Sequence, residues 1–274
     1  MNVKASVKNV AERLGVADQA REFYHRAHEF AGVELRKRNA RFAERGAPDG
    51  LPIPPKNLIY DVAGHIDSEQ FWIDGAAHAR NITVTFAAYG VVLAEQSAIL
   101  DWGCGCGRVI RHWSDLDGPK VYGSDYNPEL VEWCQHNLPF ADVRKNELDP
   151  PLPFEADTFD ALFAISVLTH LDSDRQQTWL AEVARVLKPG GTAMLTVHGD
   201  NAAHQLPPRD RARYDAGELV VQASKNAGEN VCSAYHPPAY VTGEFSRYFD
   251  VLGTVATPLR GSVQDAVMVR RHTT

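Results

Sequence analysis

The sequence predicts an α/β fold in which a mostly parallel sheet of seven strands closes on an antiparallel final pair, behind an N-terminal helical extension. Three observations predict it. From residue 98 onward, short apolar segments alternate with helical stretches, the pattern of a parallel sheet covered on both faces. A run of glycines stands where the first apolar segment ends. The last two apolar segments lie too close together for a helical crossover, so they should form a hairpin.

Residues 1–46 read as helix, with Ala20, Phe23, Tyr24, Ala27, Phe30 and Ala31 recurring at three- and four-residue steps. Gly46 to Gly50 breaks that pattern, and Pro52, Pro54 and Pro55 prolong the break. Asp67-Ser68 followed by Glu69 predicts a helix start, and a further helix should cover Gly75 to Leu93. The strands follow at Ala98–Asp101, Lys120–Ser124, Ala141–Lys145, Ala161–Ile165, Thr192–Val197, Val251–Ala256 and Ala266–Arg270. Helices are expected between them, at Pro128–His136 and Arg175–Leu187. This divides the chain into an extension, 1–80, and an α/β domain, 81–274.

The 274 residues carry a net charge of −7. That balance gives no electrostatic reason to expect nucleic acid as a partner. Arg36, Lys37, Arg38 and Arg41 form the densest basic patch and read as a solvated helix face. No 18-residue apolar run exists, and residues 1–10 have lysines without an apolar core, so neither a membrane span nor a secretory signal is expected. Cys104, Cys106, Cys134 and Cys232 show no metal-binding spacing. The expectation is a reduced cytoplasmic protein without a metal.

Ile99 to Arg108 reads Ile-Leu-Asp-Trp-Gly-Cys-Gly-Cys-Gly-Arg. Glycines at 103, 105 and 107 let the backbone turn sharply and approach a ligand. The N-terminus of a following helix would offer free N–H groups to a carboxylate or phosphate. A dinucleotide site wants Gly-x-Gly-x-x-Gly, and here Arg108 occupies the third glycine position. Asp101, two residues before the first glycine, would repel a pyrophosphate but can hold an ammonium group. A ligand with both ammonium and carboxylate fits better, which favours S-adenosylmethionine over a nicotinamide cofactor. Asp125 ends the second strand, where an acid can accept ribose hydroxyls. It could also cap the helix from Pro128, although Asn127 is the better cap.

Four blocks in order then resemble the class I methyltransferases: Asp101 to Gly107, Gly123-Ser-Asp125, Pro153-Phe-Glu-Ala-Asp-Thr-Phe-Asp160, and Val186-Leu-Lys-Pro-Gly-Gly191. Gln264-Asp-Ala-Val is a fifth echo, and the resemblance covers roughly residues 80–274. It implies a Rossmann-like sheet with the final strand inserted antiparallel, and S-adenosylmethionine as cofactor. It implies that Asp101, Trp102, Gly103, Cys104, Gly105 and Gly107 surround the methionine part and Asp125 the ribose. Asn146 and Glu147 would meet the adenine, and Ile165 and Ser166 the sulfonium side. Tyr126 would stack near the adenine or simply pack. Cys104 and Cys106 have side chains that read as small buried fillers.

Methyl transfer is an in-line displacement that needs mainly alignment, with a base only if the acceptor carries a proton. His170 and His198, after the fourth and fifth strands, are the candidate bases, and each has a structural alternative. The fourth strand lacks Asn-Pro-Pro-Tyr, a Pro-Cys pair and a terminal Asp, which argues against amide or base-amine, cytosine-carbon and magnesium-dependent catechol chemistry. His65, Phe71 and Trp72 could line the acceptor pocket as part of a lid, as could Tyr235 and His236. Asp200–Ser233 is a second candidate cover. The leading expectation is a small-molecule acceptor (O, N or C), ahead of a protein or peptide methyltransferase and of a non-catalytic cofactor-binding module. The N-terminal helix serves equally as a lid or as the interface of a homodimer.

Overall fold

A computed structural model describes residues 32–228, 232–259 and 261–273. The apolar positions from Ala20 to Ala31 lie outside the described residues. Residues 32–45 are helical (α1). Two helices follow, α2 (Lys56–Ala63) and α3 (Ser68–Ala88). The Asp67 side chain caps α3 by accepting the Gln70 N–H at 3.1 Å. The two helices expected between 67 and 93 are therefore one, and residue 80 falls inside it. Gly75 does not break α3 but lets it pack closely: a Cβ there would lie 2.2 Å from the Arg108 carbonyl oxygen.

The sheet strands are β1 (Ala98–Trp102), β2 (Lys120–Asp125), β3 (Ala141–Lys145), β4 (Phe159–Ala164), β5 (Leu187–Val197), β8 (Phe249–Val255) and β9 (Asp265–Arg271). Their order is β3-β2-β1-β4-β5-β9-β8. The first five pair in parallel, and β9 enters antiparallel between β5 and β8. A small ribbon, β6 (Val220–Gln222) with β7 (Ser233–Tyr235), stands apart within the segment expected as a polar cover.

Alternate residues of each strand point to opposite faces. Leu100, Leu162, Leu195 and Val267 pack on Trp179, Leu180 and Val183 of α5 (Ser173–Val186). Ile99, Phe163, Met194 and Met268 pack on Ile82 and Phe86 of α3 and on Val131 and Cys134 of α4 (Pro128–Asn137). Both faces are covered, so β1 is buried along its whole length. Between β1 and β4 the strand order reverses, and there the carboxyl ends of the strands leave a crevice.

The helix expected after the glycine loop is a single 3₁₀ turn, Ile110–Trp113. Arg111 accounts for this. Its side chain is 1% exposed and turns inward, donating through Nε and Nη2 to the two oxygens of Asp49 at 2.7 and 3.0 Å, and to the Leu51 carbonyl at 3.1 Å. Gly118 then forces a tight turn, since a Cβ there would meet the Ala94 carbonyl at 2.1 Å. The Arg111–Asp49 pair ties the extension to the α/β domain. Removing one partner of a buried ion pair costs about 3–5 kcal/mol, because the other charge is left buried. Asp49→Ala should lower the unfolding free energy measured in urea by that order; a value unchanged from wild type would show that the pair does not hold the extension.

Candidate functional site

The crevice is a cavity of about 430 Å³ at the ends of β1, β2 and β4. Its floor is the glycine loop, which takes left-handed backbone at Gly103, Gly105 and Gly107. The N–H groups of Gly103 and Cys104 both donate to the Ser124 carbonyl, at 2.8 and 3.0 Å. Gly107 N–H donates to the Cys104 carbonyl at 3.0 Å, and Gly105 N–H to the Asp125 carboxylate at 2.8 Å. Four loop donors are thus turned toward the protein, and no α-helix N-terminus follows. The expectation that the N-terminus of a following helix would present free N–H groups to an anion is corrected, since a 3₁₀ turn stands there.

Asp125 also accepts the Asn127 N–H at 2.9 Å, while Asn127 itself caps α4 by accepting the Glu129 N–H at 3.0 Å. The carboxylate keeps lone pairs for a ligand. Burial raises its pKa against the pull of the Asn127, Gly105 and Tyr126 backbone N–H groups. Asp101 is buried and lines the cavity. Burial, and next the charge of Asp125, push its pKa well above the carboxylate range, with Arg108 acting the other way. Two buried acids on one wall call for a cationic or hydrogen-bond-donating ligand. Asn146, 6% exposed, also lines the cavity, and its Oδ1 has no hydrogen-bond partner among the described residues. An acceptor left so is matched by an amino donor.

Across the cavity Ser166 takes a left-handed conformation (φ 59°), fixed by its N–H to Thr196 Oγ1 at 2.8 Å and by Gln264 donating to its hydroxyl at 2.6 Å. His170 lines the cavity and donates from Nδ1 to the Cys232 carbonyl at 2.7 Å, which leaves Nε2 unprotonated. Burial holds its pKa below the usual imidazole range.

Within this geometry, the family model described as a methyltransferase domain matches residues 100–195. Residues 100–195 are thus similar to a methyltransferase domain. A sterol 24-C-methyltransferase of Schizosaccharomyces pombe is 29% identical over 199 residues, covering 67% of this chain and 50% of that protein. A probable tRNA methyltransferase 9B of Homo sapiens is 31% identical, covering 52% and 33%. The chain thus spans about half the length of one and a third of the other. The structure of a Burkholderia thailandensis 1,6-didemethyltoxoflavin-N1-methyltransferase, solved with that molecule and S-adenosylhomocysteine, shares the fold. Its TM-score is 0.55 at 17% identity, over 89% of this chain and 90% of that one.

The cavity brings together most of the expected cofactor residues: Asp101 to Gly105, Asp125, Tyr126, Asn146, Glu147, Ile165 and Ser166. Trp102 lines it too, although the residue is 2% exposed and its ring packs on Trp179 at 4.6 Å. Gly107 does not line the cavity. A Cβ there would lie 2.2 Å from Leu138 Cδ1, so this glycine serves packing.

The expected acceptor residues are also corrected. Phe71 is fully buried under α2, and Trp72 donates to Asp49 at 3.1 Å. His65 accepts the Asp67 N–H at 3.2 Å. The extension reaches the cavity through Asp61 and Val62 of α2 instead. His198 stacks on Tyr235 at 5.1 Å, and His236 faces Gln176 at 3.2 Å. None of these three lines the cavity, and burial pushes the pKa of His198 down to about 4 and that of His236 to about 3. Residues missed include Arg108, Leu148, Trp179 and Gly228, which reach the cavity only through tertiary packing. Among the described residues no cluster of His, Cys, Asp or Glu could hold a metal, and no helix is long and apolar enough to cross a membrane.

Gly107→Ala separates packing from ligand contact. Strain at positive φ together with overpacking should cost about 1–3 kcal/mol in urea unfolding. Affinity for S-adenosylhomocysteine should stay within about two-fold, below 0.5 kcal/mol. Unchanged stability with lost binding would return Gly107 to the ligand site.

Proposed function

We propose that the protein transfers a methyl group from S-adenosylmethionine to a small-molecule acceptor by in-line displacement. One observation carries the reading: the same cavity holds a buried acid beside the glycine loop, a second acid at the end of β2 and an unpaired amide oxygen at Asn146. These match an ammonium, a ribose diol and an adenine amino group. When bound, S-adenosylmethionine supplies a methyl group already activated by sulfonium. What the chain adds is position and exclusion of water. Asp101, Asp125 and Asn146 orient the cofactor; Val62, Leu148 and Trp179 wall it in.

His170 is the proposed proton acceptor, through Nε2. The Cys232 carbonyl fixes the tautomer, and the lowered pKa keeps the ring neutral at neutral pH. His198 has no such part, because it lies behind the cavity wall. A small acceptor is favoured over RNA by the net charge of −7 and by Asp61 and Glu147 lining the cavity, where a phosphate backbone would be repelled. The names of the relatives span sterol and tRNA acceptors, so the acceptor class rests on this electrostatic argument. A reducing compartment such as the cytoplasm suits the four cysteines, all buried and free.

Calorimetry should show binding of S-adenosylmethionine and S-adenosylhomocysteine, with negligible binding of NAD; the reverse preference would sink the proposal. Asp125→Ala removes a charged acceptor worth about 1–3 kcal/mol, so affinity should fall by about five-fold to over a hundred-fold. An unchanged Kd in a folded variant would make Asp125 a loop anchor only.

For His170 the pH profile of kcat/KM is decisive. A base with a lowered pKa stays neutral as pH falls through about 6.5, and loses activity only below its own pKa. His170→Ala should abolish that acidic limb and slow the reaction by about 10²–10⁴-fold. A rate and profile like wild type would mean that alignment alone suffices.

A further inference from the structure

Arg108 is a cation without a counter-ion. It lines the cavity and is mostly buried, yet it has no hydrogen bond or ion pair among the described residues. Arg111, three residues on, is bonded through Nε and Nη2 to Asp49. The groups whose charge acts on Arg108 are Asp74, Cys106 and Asp101, none of them bonded to it. A largely desolvated guanidinium left unpaired is unfavourable, so the pocket around it is complementary to an anion.

That anion finds few other donors. The N–H groups of Gly103, Cys104, Gly105 and Gly107 are already given to Ser124, Asp125 and Cys104. The element that follows is a 3₁₀ turn of four residues, which lacks the aligned dipole of an α-helix. Within the cavity, Asp101 stands at the start of the loop and Arg108 at its end, so that one wall presents an acid and a base to the same ligand. They are not joined to each other. A zwitterion fits between them, with its ammonium toward Asp101 and its carboxylate on the planar fork of Arg108. The packing of Gly75 fixes the base of the Arg108 side chain: a Cβ there would come within 2.9 Å of His112 and 3.2 Å of Arg108 Cγ.

We infer, on the S-adenosylmethionine reading of this cavity, that Arg108 is the counter-ion of the cofactor's methionyl carboxylate and takes the place of the loop amides and helix N-terminus. The arginine that spoils the dinucleotide pattern is thereby the residue that recognises an amino acid.

The test compares ligands that differ only at that end. Calorimetry on the full chain would use S-adenosylhomocysteine, its decarboxylated analogue and 5′-methylthioadenosine, which has the adenosine without the amino acid. Wild type should prefer S-adenosylhomocysteine to the decarboxylated analogue by about ten- to hundred-fold, the worth of a charged hydrogen bond. Arg108→Gln should erase that preference and leave 5′-methylthioadenosine within about two-fold of wild type. Arg108→Lys should restore part of it, as a charge without the fork.

Wild type that binds both amino-acid ligands equally would overturn the inference without any variant. So would Arg108→Gln that keeps the preference, or that weakens 5′-methylthioadenosine as much as S-adenosylhomocysteine, since Arg108 would then be shaping the site. Wild type that binds none of the three would instead defeat the S-adenosylmethionine reading itself.

Discussion

The hydrogen bond from the Gly105 N–H to the Asp125 carboxylate joins the carboxyl ends of β1 and β2 at the floor of the cavity. Parallel pairing brings Asp101 opposite Gly123 and Trp102 opposite Ser124. The loop then folds back on β2 through Gly103, Cys104 and Gly105, three bonds that only positive φ at 103 and 105 allows. This fold-back fixes Asp101, aims the Asp125 carboxylate across the loop, and turns the loop amides inward. Because the amides face the protein, the cavity presents side chains: acids on one wall, an amide at Asn146, a guanidinium at Arg108.

The extension belongs to the same arrangement. Val62 of α2 presses on the loop so closely that a Cβ on Gly105 would come within 2.7 Å of it. Asp49 satisfies Arg111 and Trp72 together, so the loop before α2 is held where it completes the cavity. Burial raises the Asp49 pKa and the Arg111 contacts lower it, with a net fall. The contribution is present above the carboxylate range and is lost as pH falls through the lowered pKa. Lining the cavity and anchoring the extension to the α/β domain thus fall to neighbouring residues of one segment.

Much of this was legible in the sequence, for reasons that can be named. Strands buried on both faces read as unbroken apolar segments, and all seven were placed within a few residues. The Asp-x-Gly-x-Gly-x-Gly spacing located the loop, and Asn127 was recognisable as the cap. The failures share a cause. Val109 to Trp113 has helical spacing, but Arg111 is drawn inward by Asp49, 62 residues away, and no local pattern records that. Phe71, Trp72, Tyr235 and His236 are aromatic or ionisable residues near the right elements, and their direction is decided by packing. Histidines 170 and 198 look alike in sequence; only the cavity separates them. Arg108 was visible merely as a missing glycine, since its isolation depends on which acids find other partners.

The central claim is that Asp101, Asp125 and Asn146 form one cofactor site. A crystal structure of the protein with S-adenosylhomocysteine tests it most directly. The account predicts ribose hydroxyls on the Asp125 carboxylate, the amino group at Asp101 and the adenine amino group at Asn146 Oδ1, each within hydrogen-bonding distance. Density for the ligand in another cleft, or in this one with the adenosine turned away from Asp125 and Asn146, would contradict it.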